Sequence, residues 1–291
     1  VHYADRLAQA SHAKGSVLCV GLDPMPDQLP DCPGSDLIAR VEYFCTAILE
    51  AVAPHAVAVK PQSAYFEALA PEGLACLWRL VRYARDLGLL VIMDAKRGDI
   101  GSTAAAYARA TLGLHVGDGQ PLADAVTVAP YLGRDGVQPF IEMAANYETG
   151  LYVLVKTSNP GSGELQDLTL ASGLTVYEHM GDLVAGWGSE LVGESGYSAV
   201  GAVVGATYPA QLAALRHRLP TVPFLIPGYG HQGGTATDVA AGFDARGQGA
   251  VVNSARGIIY AWQAHQQPFA TAAAEAAQQA REELQAALPG P

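Results

Sequence analysis

The sequence has no basic run, no paired-cysteine spacing and no apolar stretch long enough to span a membrane. With a formal charge of −11 over 291 residues, the first absence argues against nucleic acid and anionic membranes as main partners. An anionic ligand would have to be drawn in by a few local cations. The four cysteines, Cys19, Cys32, Cys45 and Cys76, show neither C-x-x-C spacing nor the histidine pattern of a zinc site. They read as reduced thiols, most of them acting as small hydrophobes. The residues from Val1 to Arg6 lack a charged segment followed by an apolar one, so a cytoplasmic, enzyme-sized domain is expected.

What the chain does have is apolar content, 50% of residues, with only 15% charged and 32 glycines spread along it. That composition supports a sizeable core. Eight apolar runs recur, at 17–22, 56–59, 89–93, 125–129, 151–155, 199–204, 224–226 and 250–252. Between them lie stretches with helical apolar spacing, such as 37–52, 74–87, 136–146 and 177–191. Strand-then-helix repetition implies parallel pairing, and continuously apolar strands imply that both faces are covered. Eight such units favour an α/β fold of the (β/α)₈ TIM barrel type, one catalytic domain over 1–291. A helix at 269–288, beginning after Pro268 with a marginal apolar face, is expected to pack on the barrel as an addition.

In such a barrel the strand C-termini and the loops after them carry the chemistry. The polar residues obey this rule. Asp23 follows the first run, Lys60 the second, Asp94 and Lys96 the third, Lys156-Thr157-Ser158-Asn159 the fifth, a glycine-rich turn the seventh and Arg256 the eighth. The connection after the fifth run is longer than a usual βα loop and reads as a lid or an inserted hairpin. Asp23 and Ser158 each have a bland reading as loop caps beside a binding one. The histidines His12, His55, His115 and His231 show no ligand spacing.

The segment Asp94-Ala95-Lys96-Arg97-Gly98-Asp99 ends the third run in charges. Strand alternation puts Asp94 and Lys96 on one face, with Asp99 just beyond the strand end. With Lys60 from the neighbouring strand, four charges would alternate in sign around one mouth. Such a cluster is costly to desolvate, which argues for a site over a structural ion network. A Lys96 held protonated by carboxylates is a good proton donor to a carbanion and a poor Schiff-base nucleophile. At the far end, Pro227-Gly228-Tyr229-Gly230-His231-Gln232-Gly233-Gly234 offers backbone N–H groups, and Arg256 a bidentate guanidinium. Loops after strands seven and eight are where barrel enzymes often hold phosphate.

Taken in order, Lys60, the Asp94-x-Lys96-x-x-Asp99 core with Ile100 and Thr103, the glycine-rich turn and Arg256 resemble the orotidine 5′-phosphate decarboxylase family from about Asp23 to Tyr260. The Lys156 to Ser162 segment is similar to its longer, type-2 bacterial branch. The resemblance implies that a C6 carbanion formed from orotidine 5′-phosphate is protonated by Lys96. It implies that Asp94 stresses the leaving carboxylate and that Lys60 orders the array and touches the ribose. It assigns Asp23 to a ribose hydroxyl, Ser158 to the pyrimidine, and Gln232, Gly230 and Arg256 to the phosphate. Asp99 and Thr103 would reach the neighbouring subunit's site in a homodimer. No metal and no organic cofactor is implied. A related magnesium-dependent sugar-phosphate decarboxylase or aldolase group places an acid where Lys60 stands, so Lys60 discriminates against it. A non-catalytic phosphate-binding barrel would keep Arg256 but lose the charge array.

Overall fold

Each apolar run forms a strand. In chain order these are β1 (Leu18–Leu22), β2 (Ala58–Pro61), β3 (Leu90–Arg97), β4 (Ala125–Val128), β5 (Gly150–Lys156), β6 (Val200–Val204), β7 (Phe224–Pro227) and β8 (Ala250–Ser254). Neighbours pair in parallel, and β1 pairs with both β2 and β8, which closes the barrel. This computed structural model describes residues 2–115, 119–230, 233–264 and 267–289. Helix α1 (Tyr3–Lys14) precedes the barrel. The crossovers carry α2 (Leu37–Val52), α3 (Ser63–Glu67), α4 (Ala70–Asp86), α5 (Gly101–Leu112), α6 (Arg134–Tyr147), α7 (Gly163–Gln166), α8 (Val176–Trp187), α9 (Pro209–Arg218) and α10 (Ala236–Ala240). After β8 come α11 (Arg256–Ile259) and α12 (Phe269–Ala287). Among the described residues no helix is long and apolar enough to cross a membrane.

Local chemistry explains where the helices start. The Asp36 carboxylate accepts the Ala39 N–H at 2.9 Å and caps α2, whose Val41, Phe44, Cys45, Ile48, Leu49 and Val52 are buried at helical spacing. Thr175 and Glu178 form a reciprocal capping box at the head of α8. The thin apolar face expected for the terminal helix is mostly alanine: Ala272, Ala273, Ala277 and Ala280, with Leu284, are buried as α12 packs on α2, α10 and α11.

Strand alternation divides the core in two. Cys19, Ala58, Ile92, Ala125, Tyr152, Val203, Leu225 and Val251 fill the barrel interior, while the residues between them face the helices. All four cysteines are free thiols, and burial pushes that of Cys19 up to about 12. The N-terminal mouth is plugged by α1, an element the sequence reading left out. Tyr3 is fully buried and its hydroxyl donates to that of Tyr152 at 3.1 Å. Gly150 makes this possible, because a Cβ there would lie 2.3 Å from the Tyr3 ring.

Candidate active site

Two residues beyond the interior layer, the same inward face presents Lys60, Asp94, Thr127, Leu154 and Asn253, and these line a cavity of about 530 Å³ at the C-terminal mouth. Its wall is divided. Leu154, Val203, Leu225 and Pro227 make an apolar side, and Asp23, Lys60, Asp94, Lys96 and Arg256 line the rest. Three cations and two carboxylates leave the lining net positive inside a strongly acidic protein. An anion is therefore attracted locally, against the global charge.

Asp94 is the hub of this lining. Lys60 donates to its Oδ2 at 2.5 Å and Lys96 to its Oδ1 at 2.6 Å. Burial works against ionising Asp94, but the two ammoniums prevail and hold its carboxyl below the ordinary aspartate range. Burial likewise opposes a charged Lys60, and Asp94 with Asp23 overcomes it, so the Lys60 ammonium titrates above its ordinary value. Asp23 behaves in the opposite way. Its carboxyl is raised mainly by burial, with Lys60 pulling it down only in part. Its Oδ1 is buried with no hydrogen-bond partner among the described residues, as is Oδ1 of Asn253 on β8.

Asp94 and Lys96 meet as expected, although not through regular alternation. β3 pairs with β4 at Ile92–Ala125 and Met93–Val126, then slips before pairing again at Arg97–Val128. Within this bulge Lys96 takes a left-handed backbone, φ +46°, which is unfavourable for a residue with a Cβ. Thr127 sits opposite the bulge, where its Oγ1 accepts the N–H groups of Ala95 and Lys96.

At the other end of the cavity lie Gly228, Tyr229, Ala255 and Arg256. Gly230 holds φ +73° and donates its N–H to the Gly234 carbonyl at 2.8 Å, which turns the chain sharply above β7. Gln232, expected at the phosphate, and His231 lie outside the described residues. Tyr229 donates to Glu283 of α12 at 2.7 Å, so the terminal helix is tied to this turn.

Ser158 lines the cavity with Asn159 and Gln166. The long connection after β5 is a short helical excursion, a 3₁₀ turn at Pro160–Ser162 running into α7, followed by a single bridge between Thr169 and Thr175. It is fastened from within. Lys156, fully buried, donates to Asp167 at 2.8 Å and to Ser162 at 3.3 Å, and lies over the Tyr177 and Tyr208 rings. The Gln166 amide accepts the Thr157 N–H and donates to its hydroxyl.

The alternating array does not close within one chain. Asp99 and Thr103, at the head of α5, are not among the residues lining the cavity of their own chain, and Asp99 accepts the N–H of Ile100 at 2.8 Å. Around them Ile100, Tyr131 and Leu132 are exposed, Tyr131 by 81%. Residues that sequence reasoning missed are Gln62, Thr127 and Asn253; all three lie on or just after a strand, inside the mouth, where strand parity alone was the available signal. Both Asp94 oxygens are held by ammoniums, and among the described residues no three His, Cys, Asp or Glu side chains are grouped to hold a metal.

The chain as a whole is similar to known proteins. Residues 16–267 match the model of the orotidine 5′-phosphate decarboxylase / HUMPS family. An orotidine 5′-phosphate decarboxylase of Rhodopirellula baltica is 48% identical over 269 residues, 89% of this chain and 88% of that protein. Another from Roseiflexus castenholzii is 43% identical over 99% of both chains. The solved structure of Leishmania donovani OMP decarboxylase superposes with a TM-score of 0.78 at 35% identity, covering 98% of both chains.

Proposed function

This chain belongs to the orotidine 5′-phosphate decarboxylase / HUMPS family, and from that premise we propose how its site performs the decarboxylation of orotidine 5′-phosphate to uridine 5′-phosphate in pyrimidine synthesis. The chain is a decarboxylase, a carbon–carbon lyase acting on a nucleotide. The observation that carries the mechanism is one carboxylate, Asp94, gripped between two ammoniums at one end of a cavity whose other end holds Arg256.

Arg256, with the glycine-rich turn that includes Gly230, grips the phosphate; Gln232 joins them. Asp23 accepts a ribose hydroxyl, Lys60 touches the ribose, and Ser158 reads the pyrimidine edge. These contacts set the substrate carboxylate beside Asp94. Two carboxylates about 4 Å apart repel by about 4 kcal/mol at an effective dielectric near 20. Loss of CO₂ removes that repulsion and leaves an electron pair at C6. The Lys96 ammonium, preorganised by Asp94, stabilises that charge and delivers its proton to C6. The neutral lysine then regains a proton from solvent.

No step in this scheme calls for a metal ion, and Lys60 occupies the position where the magnesium-dependent group places its acid. Two further proposals complete the reading. The enzyme acts as a homodimer in which Asp99 and Thr103 enter the neighbouring site, supported by their place outside their own cavity beside exposed Ile100 and Tyr131. It acts in the cytoplasm, supported by the four free thiols. The deciding measurement follows the loss of orotidine 5′-phosphate absorbance in the presence of a chelator, for the wild type and Lys96→Ala. Turnover by the wild type alone is expected. Chelator-sensitive turnover would overturn the metal-free mechanism, and undiminished turnover by Lys96→Ala would overturn the role of Lys96.

A further inference from the structure

No motif singles out Thr127, yet it makes more of the hydrogen bonds around Asp94 and Lys96 than any substrate-facing residue except Asp94 itself. Between the paired positions Met93–Val126 and Arg97–Val128, three residues of β3 face a single residue of β4. The ladder cannot serve them. The N–H groups of Ala95 and Lys96 instead both donate to Thr127 Oγ1, at 3.0 and 2.9 Å. A hydroxyl has two lone pairs and one proton. Both lone pairs are thus taken, and the proton is directed to Asp94 Oδ1 at 2.9 Å, the same oxygen that Lys96 Nζ grips at 2.6 Å.

The hydroxyl has no freedom left, and Thr127 is only 1% exposed, so water does not substitute for it easily. The bonds it accepts hold the left-handed turn at Lys96, a conformation that an L-residue does not keep unaided. The bond it donates fixes the rotation of the Asp94 carboxylate. Thr127 therefore joins the backbone of the proton donor to the carboxylate that orients its ammonium. β-branching adds to the effect, since it limits the side-chain rotamers available within a strand.

We infer that Thr127 is a positioning residue of the decarboxylation, aligning Lys96 and Asp94 through its single hydroxyl; this rests on the decarboxylase reading of the same site. Its action is on the reacting geometry, not on affinity. Valine keeps the shape and removes all three hydrogen bonds, serine keeps the hydroxyl, and alanine removes the hydroxyl without setting a methyl against the two N–H groups.

The test measures kcat and KM for orotidine 5′-phosphate, and calorimetric affinity for uridine 5′-phosphate, in the wild type, Thr127→Val, Thr127→Ser and Thr127→Ala. Thr127→Val is expected to lose about 100-fold in kcat, as misplacement of reacting groups by about an ångström does. KM and product affinity should stay within about threefold, since uniform binding is untouched. Thr127→Ser should recover most of the loss. Should Thr127→Val fail to fold, Thr127→Ala carries the same comparison with serine. Undiminished kcat in the hydroxyl-free variants, equal losses in serine and valine, or a loss confined to KM would overturn the inference while wild-type turnover upholds the decarboxylase reading. A wild type that does not turn over would overturn that reading, and this inference with it.

Discussion

Lys60 and Asp94, 34 residues apart in sequence, meet at 2.5 Å across neighbouring strands, each only 5% exposed. Removing Asp94 leaves Lys60 a buried, unpaired ammonium, at a cost of about 3–5 kcal/mol, whereas removing Lys60 leaves Asp94 still held by Lys96 and Thr127. Asp94→Asn should therefore lower unfolding free energy by about 3 kcal/mol, and Lys60→Met added to it should restore part of that loss, a coupling of at least about 1 kcal/mol. Urea unfolding of both single variants and the double variant measures it; additive losses would show the two charges to be independent. The pH signs agree. The contribution of Asp94 is present above the ordinary aspartate range and lost as pH falls through its lowered pKa. That of Lys60 is present below the ordinary lysine range and lost as pH rises through its raised one.

Lys96 combines the ammonium proposed as proton donor with a left-handed backbone, so stability and activity should part company there. Its side chain is 45% exposed and its φ is +46°. Glycine adopts that conformation freely, and Lys96→Gly should be about 1 kcal/mol more stable than Lys96→Ala. Both should lose about 100-fold or more in kcat, the usual contribution of a positioned proton donor. Thermal unfolding and steady-state kinetics on the two variants test this; an alanine variant as stable as the glycine one would show that the turn carries no strain.

Asp23 should set the acid limb of the profile. Burial raises its carboxyl above the ordinary value while Asp94 is held below it, so as pH falls Asp23 is protonated first. Asp23→Asn should cost about tenfold in kcat/KM at neutral pH, the worth of a hydrogen bond to a charged group. The ratio of wild type to Asp23→Asn cancels titration of the substrate. It should fall toward acid pH with a midpoint above about 3.9, the ordinary aspartate value. A ratio that stays flat to lower pH would assign the limb elsewhere.

Asp99 provides the test of the dimer. Asp99→Ala and Lys96→Ala should each be nearly inactive alone. Equal mixing with exchange of subunits makes half of the dimers mixed, and each mixed dimer regains one native site of two, about a quarter of wild-type activity. Activity that stays at the level of the separate variants after exchange would place Asp99 in its own subunit's chemistry.

Much of this was readable along the chain. Eight apolar runs became eight strands because a strand buried on both faces has no choice of composition, and their order fixed the barrel. The charges after those runs came to one mouth because parallel strands share one C-terminal end. Less readable were contacts set by local irregularity. Alternation placed Asp94 and Lys96 together, but gave no hint of the bulge between Met93 and Arg97. It also hid Tyr3, whose helix looked like an unremarkable terminus until Gly150 left a space for its ring. The connection after β5 carried its own fastening, since Lys156 reads as one more polar residue at a strand end and not as a buried ammonium held by Ser162 and Asp167.

The sequence by itself determined the barrel, the end at which the charges gather, and the meeting of Lys60, Asp94, Lys96 and Arg256 around one cavity, because period and order along a chain dictate face and end. Only the tertiary structure decided which atoms touch. Hydrogen-bond direction depends on register, and a slip of two residues between β3 and β4 gave Thr127 three partners that no regular ladder would have offered.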